Sequence, residues 1–195
     1  MHPIRLRVDD DLRRSRLTVF FRLLLAIPHF VVLALWVVVV FVVAIVNWIV
    51  TLVTGRSPDA LHRFLAAFLR YSTHLLGYVL LLADPYPSFT PSSPYPIDIE
   101  IAPPERQNRW VTGFRLILAI PALILANVLS QVMEVIAFLG WFVCLAIGRM
   151  PRGMRDLAAF CLRFQQQTYG YVLLLTQRYP SLGSGVTPEA ISPTA

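Results

Sequence analysis

The stretch FRLLLAIP at Phe21 to Pro28 returns as FRLILAIP at Phe114 to Pro121, an offset of 93 residues. Sliding the chain against itself by that offset brings further pairs into line without a gap. Pro3-Ile4 meets Pro96-Ile97, Trp48 meets Trp141, Gly55-Arg56 meets Gly148-Arg149, and GYVLLL at Gly77 meets GYVLLL at Gly170. Roughly a third of the aligned positions are identical, so the chain is a tandem duplication and each half is one copy of the same unit. Whatever one copy folds into, the other must also fold into. A pseudo-twofold arrangement of the two is the simplest outcome.

The solvent for that fold follows from charge. Hydrophobic residues make up 56% of the chain and charged residues 14%, far from the balance of a soluble domain. No charged residue falls between Arg22 and Arg56, and 30–53 is an almost unbroken run of Val, Leu, Ile, Phe, Ala and Trp. The run exceeds the roughly 20 residues that cross a hydrocarbon core, and is too long for a cleavable signal peptide. It reads as a signal anchor. The 17 basic residues are all Arg and gather near the ends of the apolar runs, which suits anionic lipid headgroups rather than nucleic acid. Cys144 and Cys161 lie in apolar helices without His or Asp at ligand spacing. Neither a metal site nor a disulfide is expected.

Within each copy (1–89 and 95–182, with a Pro/Ser-rich linker at 90–94) the periodicity predicts four pieces. Residues 3–8 and 96–101 alternate as strands, and antiparallel pairing would set Arg5 against Glu100 and Arg7 against Asp98. Residues 11–27 and 105–120 form amphipathic helices at the interface, ending where Pro28 and Pro121 break the chain. Spans follow at 29–54 and 122–147, closed by Gly55 and Gly148 as C-caps. Third helices occupy 59–83 and 152–175, and a disordered tail occupies 183–195. Mainly α-helical, the chain is expected to be an integral membrane protein of two parallel repeats, with about four spans in total. A rival topology lays the third helices in the interface and folds the uncharged run into a two-span hairpin.

One polar seam interrupts the lipid-suited surface. Asn127, Gln131 and Glu134 recur at helical spacing in the second copy, and a Glu facing lipid is costly. If 122–147 and 152–175 fold back as a hairpin, Glu134 and Arg163 sit at similar depth and Gln131 meets Gln166. The expectation is a Glu134 to Arg163 pair, continued by Gln166 and Gln167, with Arg70 reaching across from the first copy and His74 one turn beyond it. Arg14, Arg22, Arg109 and Arg115 are expected to contact lipid headgroups.

FRLLLAIP, the GR-x-P after the first long run, Arg70-Tyr71 and Arg163-Phe164, and the closing YPSF at Tyr86 resemble the bacterial membrane proteins grouped as the domain-of-unknown-function 4389 family. The resemblance covers nearly the whole chain except the tail. It implies a multi-pass protein of the bacterial inner membrane, with its N-terminus cytoplasmic, and assigns no activity. His74 stands where that family's pattern often carries a second Arg. Single-copy relatives that pair as homodimers would make this chain a fused pseudo-dimer, monomeric as it stands.

Phosphate loops, HExxH, CxxC and nucleophile elbows do not occur in the sequence. The expected function is therefore non-enzymatic and cofactor-free: a scaffold or accessory subunit of an envelope complex, with membrane lipids and other membrane proteins as partners. The alternative is a component for lipid handling or small-solute and ion transport that uses the polar seam.

Overall fold

The computed structural model describes residues 2–91 and 93–183. Each copy contributes a strand, a long helix and a short helix: β1 Ile4–Val8, α1 Arg16–Thr54, α2 Asp59–Val79, then β2 Ile97–Ile101, α3 Arg109–Ile147 and α4 Arg152–Val172. The tail expected after Gly183 lies outside the described residues.

The break expected at Pro28 and Pro121 does not occur. Both prolines lie inside 39-residue helices, so of the expected interfacial segments residues 16–27 and 109–120 are the first turns of the same helices as the runs 29–54 and 122–147, and 11–15 and 105–108 precede the helices. A proline costs one backbone hydrogen bond and crowds the preceding turn. Here the buried Ala26 and His29 in α1, and Ala119 and Ala122 in α3, hold the helix on both sides of it. At 39 residues each helix is about 58 Å long at roughly 1.5 Å per residue.

Both long helices stop at a glycine in the left-handed region, Gly55 at φ 77° and Gly148 at φ 74°, as the sequence predicts. The short helices end earlier than expected, through a second device. Leu81 and Leu174 take φ 62°, the Leu82 and Leu175 amides donate to Gly77 and Gly170 O, and those of Leu81 and Leu174 donate to Tyr78 and Tyr171 O. This is a Schellman ending made with leucine in place of glycine, a backbone choice that costs about 1 kcal/mol.

β1 and β2 pair antiparallel, with Arg5 opposite Glu100 and Arg7 opposite Asp98, in the register read from the sequence. The inner face of this ribbon, Ile4, Leu6, Ile97 and Ile99, is buried. β2 packs on α2 and β1 on α4. Gly170 makes that approach possible: a Cβ there would lie 2.1 Å from Ile4 Cδ1.

The long helices pack antiparallel, through contacts that come in reciprocal pairs. Trp48 Nε1 donates to Thr112 O (2.9 Å) and Trp141 Nε1 to Val19 O (3.0 Å). The Arg14 amide donates to Gly148 O and that of Gln107, its counterpart, to Gly55 O. α1 packs against α2, α3 against α4, and α2 against α4. The layers therefore run from ribbon, to α2 and α4, to α1 and α3.

Exposure follows the layers. α2 and α4 are largely buried, whereas only 11% of the apolar window of α1 and 22% of that of α3 are covered by protein. Each of these two helices is long and apolar enough to cross a membrane.

Candidate functional site

The most elaborate chemistry in the molecule gathers at the C-terminal ends of α2 and α4. A helix end leaves carbonyls unpaired and carries partial negative charge, which a guanidinium satisfies on both counts. Arg22 donates to Tyr78 O and, at 2.9 Å, to Ala83 O, and its guanidinium carbon stacks 4.4 Å from the Tyr78 ring centroid. Arg115 repeats this at Tyr171 O (2.7 Å) and Thr176 O (3.0 Å), 4.5 Å from the Tyr171 ring. Arg14 adds bonds to Leu81 O and Leu82 O, both 2.9 Å, and an ion pair with Asp10. Gln107 covers Leu174 O at 2.7 Å in the second copy.

Arg14, Arg22 and Arg115, with Arg109, are the arginines expected at lipid headgroups. Arg14, Arg22 and Arg115 are instead buried in protein, and of that set only Arg109 is exposed. The two copies are not equally charged. Asp84 pairs with a terminal nitrogen of Arg22 at 2.9 Å, but its counterpart is Gln177, and the matching terminal nitrogen of Arg115 has no partner among the described residues; Nε is unpartnered in both arginines.

A second cluster ties the ribbon to α2. Both Arg70 Nε and a terminal nitrogen donate to the Asp98 carboxylate, His74 Nε2 donates to it at 3.0 Å, and the Ile99 amide donates at 2.8 Å. Burial by itself would raise the Asp98 pKa; the bonds from His74, Arg70 and the Ile99 amide, with the charge of Arg70, outweigh it and hold the carboxyl at about 2. A cavity of about 470 Å³ opens beside the cluster, lined by Arg7, Asp9, Arg70, Tyr95 and Asp98.

The second copy lacks this lock. Arg5 and Gln167 stand where Asp98 and His74 do, and Gln167 Nε2 donates instead to Ile4 O at 3.1 Å. Arg163, the counterpart of Arg70, is buried with its guanidinium 5.4 Å from the Phe160 ring, and among the described residues no hydrogen-bond partner reaches Nε. The first copy has Ala67 in place of Phe160 and leaves Arg70 partly open.

The expected Glu134 to Arg163 pair therefore does not form. Glu134, Gln131 and Asn127 lie on the exposed face of α3, while Arg163, Gln166 and Gln167 are buried in α4. The seam splits into two unconnected sets because α4 turns its polar residues toward α2 and the ribbon. Nor does Arg70 reach Glu134; its partner is Asp98. The partnership was legible in principle, since the ribbon register set Asp98 on the face where charges alternate in sign, yet strand-to-helix distance has no local signature. Among the described residues no three His, Cys, Asp or Glu side chains converge as a metal site, and both cysteines are free and buried.

No curated protein and no solved structure matches the chain. The family described as "Domain of unknown function (DUF4389)" matches it twice, at residues 16–90 and 109–182. The two matches take in both helix pairs and their arginine-capped ends, and the chain belongs to this family as a tandem two-copy form.

Proposed function

We propose that this chain is a non-enzymatic scaffold of the bacterial inner membrane, a fused pseudo-twofold dimer whose α1 and α3 lie immersed in the cytoplasmic leaflet while the ribbon stays in water. The observation that carries the reading is the one-sided distribution of polarity. The exposed layer of α1 and α3, apolar between its ends but for Asn127, Gln131 and Glu134 on α3, is at one end of the layer stack, and Arg5, Arg7, Asp98 and Glu100 are at the other.

The spanning alternative is costly. Because α1 and α3 are antiparallel, crossing the bilayer would bring the ribbon and Arg70 to mid-depth. Charged side chains there cost about 3 kcal/mol each on insertion scales, so five of them would cost on the order of 15 kcal/mol. A layer of helices about 10–12 Å thick instead fits within half of a ~30 Å core. The repeats then share one side of the membrane as parallel copies, and no more than the two long helices need lipid. The arginine excess favours the anionic cytoplasmic surface.

Nitroxide labels at Leu24, Val38 and Val53, all exposed on α1, test this by their depth in vesicles. Equal depths are expected. A depth that changes steadily along the helix, passing through the midplane, would overturn immersion in one leaflet.

Lipid handling is the second reading. A groove of about 490 Å³ on the immersed side, lined by Val40, Phe41, Trp48, Leu116 and Leu173 among others, has the apolar character an acyl chain requires. Retention of a stoichiometric lipid through detergent exchange, lost on Val40→Phe, would favour it. A lipid-free purified protein would count against it.

A further inference from the structure

The immersed layer carries one feature that a passive membrane anchor does not need. Asn127, Gln131 and Glu134 fall within a 60° arc of α3, taking about 100° per residue. All three are exposed, and among the described residues none of their side chains has a hydrogen bond or ion pair. At the same three positions the first copy has Ala34, Val38 and Phe41, all apolar. The stripe therefore belongs to one copy alone and is not needed to build the repeat.

In lipid such a stripe is expensive. A Glu on an immersed helix costs energy of the order that makes intramembrane acids rare unless paired, and amide side chains without partners add to it. The partner has to offer donors to a carboxylate at one point and amide complementarity about one and two helix turns away. The stripe itself offers both. A twofold axis passing between Ser130 and Gln131 sets Asn127 of one chain opposite Glu134 of the other, twice, and brings the two Gln131 side chains together at the axis. The Asn amide donates to the carboxylate, and the Gln amides donate to and accept from each other.

We infer that two copies of this chain pair antiparallel through the Asn127, Gln131 and Glu134 face of α3. The inference rests on immersion in one leaflet. Two chains with α3 lying flat in one leaflet can meet antiparallel about an axis along the membrane normal. Helices crossing the bilayer in one common orientation could only meet parallel, which would set Glu134 against Glu134.

Disulfide trapping in native membranes tests it, since Cys144 and Cys161 are buried and the wild-type chain supplies the background. Gln131→Cys should form a covalent dimer under a mild oxidant. Asn127→Cys and Glu134→Cys, co-expressed with distinguishable tags, should cross-link with each other, while neither alone links to itself. Like positions lie seven residues apart along the antiparallel pair, about 10.5 Å, beyond the roughly 7 Å limit for a disulfide.

Self-linking of Asn127→Cys alone would mean parallel packing and overturn the inference, as would the absence of any cross-link in protein that remains in the membrane fraction. Recovery of the protein in the aqueous fraction would overturn the immersion reading as well, so the two failures are distinguishable. Glu134→Leu is expected to remain folded, because Phe41 fills the same position in the other copy, and to weaken dimerisation roughly tenfold as two polar contacts vanish. An unchanged dimer fraction would refute the pairing.

Discussion

The Asp98 lock gives the sharpest handle on what holds the ribbon to the helices. A carboxyl held at about 2, against an ordinary 3.8, is stabilised in its charged form by about 2 kcal/mol, at ~1.4 kcal/mol per pH unit. The group's folded pKa is depressed, so this stability is present above pH 3.8 and is lost as pH falls from there toward 2. Asp98→Asn keeps the shape and removes the charge. Arg70, a third exposed, can then turn toward water, which softens the penalty; His74, buried, cannot. The expected loss is about 2 kcal/mol at pH 6.5, together with a flatter acid limb. The assay is thermal unfolding in nanodiscs followed by near-ultraviolet circular dichroism at pH 6.5 and pH 3. Identical melting temperatures for wild type and Asp98→Asn at both pH values would refute the account of the cluster.

Other perturbations follow from the same contacts. Arg22→Met should strand Tyr78 O and Ala83 O and leave Asp84 with the Ser15 amide but no cation, costing roughly 3 kcal/mol in denaturant melts, and more than Arg115→Met, which strands two carbonyls but no acid. Gly170→Ala should cost about 1–3 kcal/mol by overpacking against Ile4 Cδ1, and Ile4→Val, which removes that atom, should recover part of the loss in the double variant. Gly148→Ala, at φ 74°, should lower stability by about 1 kcal/mol without changing helix content by far-ultraviolet circular dichroism.

Much of this architecture was readable from residues. The pseudo-twofold implied by the repeat, together with the opposite signs of Arg5, Arg7 and Asp98, Glu100, pointed to the register that the ribbon has, against the alternative of two unrelated solvated strands. Gly55 and Gly148 marked the helix ends because a left-handed C-cap favours glycine. Pro28 misled because a proline inside a helix and a proline that ends one differ only in the packing around them. Leu81 and Leu174 gave no warning of a left-handed ending, since leucine is not a residue that announces one. The site was less legible. Arginines near apolar ends look alike in sequence whether they face phosphates or cap a neighbouring helix, and the choice is made by where the C-termini of α2 and α4 fold back. Hairpin arithmetic placed Glu134 and Arg163 at one depth but could not say which way each helix was rotated about its own axis. That rotation set the first on the surface and the second in the core.

If the chain lies in one leaflet, as proposed, all its connections are on one side of the membrane. Single cysteines at Ala60, in the first turn of α2, at Ser88, after α2, and at Gly153, in the first turn of α4, occupy exposed positions at both ends of the long helices. Labelled with a membrane-impermeant maleimide in intact cells and again after lysis, all three are predicted to react only after lysis. Reaction of the Ala60 site in intact cells, with the Ser88 site protected until lysis, would place the two ends of α2 on opposite sides of the membrane and contradict the account.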